Sequence, residues 1–223
     1  MPLPEGIAAV FFDAGGTLIH AEPSPGDVYA EVGRRFGSRV DAATARARFR
    51  DAFRRRQGHP DLTTSEAVED AFWRGVVAEV LADVTADGCY RTLFAHFARP
   101  EAWRADPEAA TVLPALAERG LLIGLCSNFD TRLHGIVAGL PELRAARRVV
   151  VSSEVGWRKP APAFFAAVAR AAALPPERIL VVGDDPVNDY QGARAAGMAA
   201  RLLDPHGRFA GPDRISSLAN LLR

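Results

Sequence analysis

The sequence predicts an α/β protein, a Rossmann-like doubly wound parallel sheet with an inserted all-helical cap domain, and three observations lead there. Four short apolar runs, at residues 7–12, 121–126, 149–151 and 179–182, are bounded by turn formers and read as buried strands. Helical patterns lie between the later runs, so the strands alternate with crossover helices and pair in parallel, with right-handed connections and cover on both faces. Residues 23–106 differ: no β-branched apolar run appears, and the segment reads as helix after helix.

In chain order, the strand at 7–12 leads into the polar loop that begins at Asp13. The helical insert follows, with Val28, Val32 and Phe36 at helical spacing in 27–36, Phe49 and Phe53 in 43–56, and apolar residues at intervals of three and four in 65–84. Pro23, Pro25 and Gly26 bracket it at one end and Asp106–Pro107 at the other. The expected division is a core of residues 1–20 and 107–223 and a cap of residues 21–106 over the first loop. Beyond the cap, helices are expected at 114–119, opened by Pro114 and closed by Gly120, at 160–173 ahead of Pro175 and Pro176, and at 187–196, closed by Gly197.

Composition narrows the function classes. With 48% hydrophobic and 24% charged residues the chain is that of a soluble globular protein, and its 27 basic and 27 acidic residues cancel. No overall positive field exists to hold a nucleic acid or an anionic membrane, so neither is an expected partner. The apolar run at 7–12 falls far short of the roughly 20 residues that span a bilayer and carries no cleavage pattern, so a cytoplasmic location is expected. Cys89 and Cys126 have no metal-ligand spacing and read as buried small apolar side chains. Lys159 is the only lysine in the chain, so chemistry that needs an ammonium must use it.

Loops at the carboxyl ends of the strands of such a sheet converge on one crevice. The first ends in Asp13-Ala14-Gly15-Gly16-Thr17, the second in Ser127-Asn128, the third leads through Ser152 and Ser153 to Lys159-Pro160, and the fourth ends in Gly183-Asp184-Asp185, with Asn188 and Asp189 close behind. Asp13 and Asp184 are expected to face each other across adjacent strand ends. Two close carboxylates are costly unless a cation neutralises them, and magnesium suits hard oxygen ligands.

Taken in order, these residues resemble the four motifs of the haloacid dehalogenase (HAD) superfamily, in the subfamily with a helical cap after the first motif. An apolar strand followed by Asp-x-Asp-Gly-Thr is matched at Asp13, Gly16 and Thr17, a strand ending in Ser or Thr at Ser127, Lys-Pro at Lys159-Pro160, and Gly-Asp-x-x-x-x-Asp at Gly183, Asp184 and Asp189. The resemblance implies a magnesium-dependent hydrolase of a small phosphorylated molecule. Asp13 would attack phosphorus and form an aspartyl phosphate. Magnesium would sit on Asp13, the Gly15 carbonyl and Asp184, Ser127 and Lys159 would neutralise phosphoryl oxygens, and Gly16, Thr17 and Asn128 would contact substrate. Asp189 and Asp185 would orient metal-bound waters or Lys159 from behind.

One position departs from the family pattern. Gly15 replaces the second aspartate of the first motif, the group that protonates the leaving alkoxide and then activates water, a role worth about 10²–10⁴ in rate. His20 is the candidate substitute, the alternative being a flap histidine facing water. Metal-free haloacid dehalogenases, which also lack that aspartate and pair the nucleophile with Ser-Asn as in Ser127-Asn128, are a second reading, although the acidic cluster at 184–189 favours a cation. Relatives with a Schiff-base lysine in the cap are set aside, because this cap has none. A catalytically weak protein that only binds phosphate is a third reading. Outside the motifs, the arginines between 34 and 56 read as the solvated face of cap helices, Trp73 and Trp103 as core residues of the cap or its hinge, and Trp157 as pocket wall or packing.

Overall fold

In a computed structural model, which describes residues 3–58 and 60–223, the first apolar run forms β1 (Ala9–Phe12), buried at every residue. Such a strand needs partners on both edges and cover on both faces. Its partners are β4 (Leu122–Ser127) and β6 (Ile179–Gly183), both parallel to it. With β5 (Arg148–Val151), β7 (Ala199–Leu203) and β8 (Arg214–Ile215) they make a six-stranded parallel sheet of order β5-β4-β1-β6-β7-β8. Alternate residues of β1 serve opposite faces. Val10 and Phe12 pack with α5 (Ala109–Glu118) and α6 (Arg132–Gly139), whereas Ala9 and Phe11 pack with α8 (Pro162–Ala172).

Between β2 (Ile19–Ala21) and β3 (Trp103–Ala105) the chain forms the helical insertion, α1 (Pro25–Arg35), α2 (Ala42–Gln57), α3 (Glu66–Val80) and α4 (Asp87–His96). Ser24, Asp41 and Ser65 cap the first three by accepting from backbone N–H groups of their first turns. Val28, Val32, Ala45, Ala52, Val76 and Val80 bury the insertion's own core. β2 and β3 pair antiparallel, His20 opposite Arg104, so the two crossings between core and insertion are tied into one small sheet.

The far edge of the insertion is latched to the core. Thr64 N–H donates to the Gly156 carbonyl at 3.1 Å and Arg158 N–H to the Leu62 carbonyl at 2.8 Å. The Arg158 guanidinium meets the buried Glu69 carboxylate at 2.7 Å, and Glu66 accepts from the backbone and hydroxyl of Thr131 at 3.0 and 2.9 Å. Gly156 closes the short α7 (Ser152–Val155) in the left-handed region.

Several expectations change on contact with the structure. The helix expected at 114–119 is α5, which begins five residues earlier and carries Pro114 inside it. Burial of Val112, Leu113 and Leu116 against the sheet outweighs the lost backbone hydrogen bond, while Gly120 does take the left-handed turn expected of it. The helix expected at 187–196 is a π-helical turn, Pro186–Gln191, followed by α9 (Gly192–Ala195), and Tyr190 N–H reaches back five residues to the Asp185 carbonyl. Strand β7 is absent from the sequence reading because Arg201 interrupts its apolar run, and that side chain is neutralised by Asp213 at 2.6 Å. The flap strands β2 and β3 are too short to show a period of their own.

Candidate active site

The polar loops converge as the strand order requires, at the carboxyl end of β1 between β4 and β6. Asp13 extends β1 by donating its N–H to the Val182 carbonyl at 2.8 Å. The chain then turns tightly, with Leu18 and Ile19 N–H groups both donating to the Ala14 carbonyl at 2.9 Å. Gly16 is required twice over in that turn: its φ is +91°, and a Cβ there would lie 2.8 Å from an Asp184 carboxylate oxygen. A Cβ on Gly183 would fall 2.1 Å from Oδ2 of Asp189, so glycine at the end of β6 is what lets that carboxylate pass.

Lys159 lies 3% exposed at the centre. Its three donors are all used, on Oδ1 of Asp13 at 2.7 Å, on Oδ1 of Asp189 at 2.5 Å and on the Cys126 carbonyl at 3.0 Å. Burial alone would favour loss of the lysine proton, yet Asp13 and Asp189 together more than reverse this and raise its pKa. Asn128 fixes the lysine backbone from both sides, accepting from Lys159 N–H at 2.7 Å and donating to its carbonyl at 3.1 Å. The Ser127 hydroxyl donates to Oδ1 of Asp13 at 2.9 Å. Among the described residues the hydrogen bonds to Asp13 thus fall on one oxygen and leave Oδ2 open.

Ligand oxygens of Asp13, Asp184 and Asp189 lie within 4.8 Å of one another. Burial and then the Asp13 charge raise the Asp184 pKa, and burial raises that of Asp189 against the pull of Lys159. Asp189 has both oxygens engaged, by Lys159 and by Asp185 N–H, so the open ligand positions belong to Asp13 and Asp184. Three packed carboxylates facing one ammonium, all hard oxygen donors, fit a divalent cation such as magnesium.

The remaining expected site residues divide. Gly15, Gly16, His20, Asn128, Asp184, Asp185 and Asp189 line a cavity of about 530 Å³ together with Asp13, Ser127 and Lys159. His20 is exposed on β2, with no hydrogen bond to its ring among the described residues. Thr17, expected to contact substrate, is buried, and its hydroxyl donates to Oδ1 of Asp184 at 3.2 Å. Asp185 caps the π-helical turn, accepting from Val187 and Asn188 N–H groups at 2.8 Å.

The sequence reading missed the rest of the wall. Phe49 and Phe53 of α2, Trp73 of α3, and Phe97, Trp103 and Phe129 line the cavity, with Arg132 beside them. Trp73 and Trp103 are therefore wall as much as core, whereas Trp157 is 42% exposed and stands outside it. Among the described residues none of the arginines between 34 and 56 reaches the cavity, and Arg55 and Arg56 instead pair with Glu79. A signal was present: two phenylalanines four apart are the only large apolar residues on the arginine-rich α2.

Known proteins resemble this chain in sequence and in fold. Residues 7–197 match the family model described as haloacid dehalogenase-like hydrolase. The human haloacid dehalogenase-like hydrolase domain-containing protein 3 is 33% identical, over 97% of this chain and 92% of that protein. A protein named phosphoserine phosphatase from Thermus thermophilus is 27% identical over 92% of this chain and 93% of its own length. Among solved structures, a HAD phosphatase from Thermococcus onnurineus superposes with a TM-score of 0.70 at 22% identity, covering 96% of this chain and 95% of that one. L-2-haloacid dehalogenase from Xanthobacter autotrophicus does so with a TM-score of 0.72 at 17% identity, covering 96% of both chains.

Proposed function

The chain belongs to the haloacid dehalogenase-like hydrolases, and from that membership we propose that it is a magnesium-dependent phosphatase of small phosphorylated molecules, working through an aspartyl phosphate at Asp13. The observation that carries this reading is the packing of Asp13, Asp184 and Asp189 around the single ammonium of Lys159. Without a cation the neighbouring carboxylates would repel the charge of the nucleophile, which favours metal-dependent phosphoryl transfer over metal-free dehalogenation.

Asp13 is the nucleophile. Ser127 and Lys159 hold its Oδ1 and so aim Oδ2 at phosphorus, and the bond to the leaving oxygen breaks as the new P–O bond forms. Asp13, the Gly15 carbonyl and Asp184 would hold magnesium, which would supply positive charge to a phosphoryl oxygen. Lys159 stays protonated throughout and neutralises charge that builds on the equatorial oxygens, with Asp189 keeping it in place. The insertion, latched over the cavity, excludes bulk water from the first half-reaction.

Proton transfer is the weak point, because Gly15 offers no side chain. A Cβ there would meet nothing within 4 Å, so the backbone at this position has room for the start of a side chain. In a magnesium-dependent screen of phosphate monoesters, Gly15→Asp is expected to raise turnover of alkyl phosphates by about 10² or more. Equal turnover in both proteins, with no aspartyl phosphate trapped from acetyl phosphate, defeats the reading. His20 is the substitute acid and base, since it lines the same cavity and its ring has no hydrogen bond among the described residues. His20→Ala is expected to abolish alkyl phosphate turnover while leaving the phosphoenzyme to form. Unchanged turnover removes it from the mechanism.

A further inference from the structure

The cavity above Asp13 is walled by rings. Phe49 and Phe53 stack with centroids 5.8 Å apart, Phe53 stacks on Trp73 at 5.8 Å, and Trp103 meets Phe97 at 6.2 Å and Phe129 at 5.8 Å. Each of these six rings is half-buried, so each keeps a face or edge for an occupant. The cationic side chains Lys159 and Arg132 of the wall, by contrast, are already engaged. Lys159 is saturated by Asp13, Asp189 and the Cys126 carbonyl. Arg132 gives Nε and Nη2 to the two oxygens of the buried Asp130 at 2.8 and 2.7 Å and lies over the Phe94 ring at 3.8 Å. A second anionic group on a substrate finds no unpaired guanidinium or ammonium among the described residues of this wall. Among the described residues of the insertion, Gln57 is the one side chain on the wall with an amide, carboxylate or hydroxyl group, a sparse set for a polyhydroxylated sugar.

An independent feature points the same way. With glycine at position 15, a leaving alkoxide has only His20 of the flap to protonate it, whereas a phenol, with a pKa of about 10, leaves as its anion without any acid. Resting on the phosphatase reading above, we propose that the site is built for aryl phosphates, with the flat uncharged leaving group held among Phe49, Phe53, Trp73, Phe97, Trp103 and Phe129. Asp13 Oδ2 bonds to phosphorus as the aryl P–O bond breaks, and the electron pair leaves on the aryl oxide, which takes a proton from solvent after release. Water then attacks the phosphorus of the aspartyl phosphate, returning the carboxylate and leaving its proton with the phosphate product or solvent.

The test is calorimetric binding of three unreactive phosphonates in the presence of magnesium: benzylphosphonate, methylphosphonate and 2-amino-3-phosphonopropionate, which carries a carboxylate and an ammonium. Benzylphosphonate is expected to bind on the order of 10- to 100-fold tighter than either of the others, the range that one or two aromatic contacts supply. Phe53→Ala, with Trp73→Leu as a second variant and thermal melting as the check on folding, is expected to shrink that gap. Affinities within about threefold of one another, or a gap that both folded variants preserve, overturn the inference. Trapping of an aspartyl phosphate from acetyl phosphate separates the failures. Labelled Asp13 without the gap overturns the substrate class alone, and absence of labelling overturns the phosphatase reading and this inference with it.

Discussion

At Lys159 one ammonium stands between the carboxylates of Asp13 and Asp189, with 3% of the lysine exposed to share its charge with water. Removing a partner from such a buried set leaves uncompensated charge, which costs more than the intact set contributes. Lys159→Met is therefore expected to lower unfolding stability by about 3–5 kcal/mol in urea titrations. A loss below about 1 kcal/mol would mean that water reaches these carboxylates. Asn128 is a different case. Its amide is committed at both ends to the lysine backbone, so Asn128→Ala is expected to misplace Lys159 and lower kcat more than it raises KM. A change confined to KM assigns Asn128 to substrate contact instead.

Among the elements, α3 and α4 carry the most testable physics. Glu69 of α3 is 3% exposed and ties the insertion to Arg158 of the core, with the Thr64 hydroxyl as its second partner. Glu69→Ala is expected to cost about 2–3 kcal/mol, less than a fully enclosed pair because Arg158 keeps an edge to water, and to increase protease cleavage in the segment around residues 58–64. Equal cleavage of both proteins would detach this pair from the latch. His96, near the end of α4, has a buried Nε2 with no partner among the described residues. Burial, helped by the charge of Arg99, holds the ring below its ordinary value of 6.5. The unfolded chain thus takes up this proton first as the pH falls, so stability must drop as the pH passes downward through about 6.5 toward the lower folded value. Chemical denaturation at pH 7 and pH 5 is expected to show a smaller loss for His96→Leu than for the wild type. Parallel losses would place that ring in water.

For the whole molecule, the acidic cluster links metal binding to stability. A cation that binds only the folded state raises stability by RT ln(1 + [L]/Kd), about 2.7 kcal/mol at a hundred times Kd. Magnesium is therefore expected to raise the melting temperature in a concentration-dependent way, and Asp184→Asn to abolish the shift. The variant without metal is expected to melt no lower than the metal-free wild type, because it removes a carboxylate that faces Asp13. The competing dehalogenase reading, which Ser127-Asn128 favours, predicts halide release from 2-haloacids in the presence of a chelator. Chelator-resistant release with no magnesium shift would replace the phosphatase with a metal-free hydrolase.

The central strands and the polar residues at their ends are legible along the chain because each is a local pattern. An apolar run such as 7–12 can only be buried on both faces, and in a parallel sheet the residues that follow it, Asp13, Ser127 and Asp184, are delivered to one crevice by connectivity alone. The missing carboxylate at Gly15 is legible for the same reason. The flap pair His20 and Arg104, the arginine-interrupted β7 and the π-helical turn after Asp185 are not, since each depends on a partner distant in the chain or on a hydrogen bond with no sequence period. The aromatic wall lies further still from any local rule. Phe49, Trp73, Trp103 and Phe129 come from α2, α3, the hinge and the loop after β4, and a ring at helical spacing looks the same whether it fills a core or borders a cavity. Which of the two it does depends on how the insertion seats on the sheet, and with it whether Arg132 is a free cation or one already neutralised by Asp130.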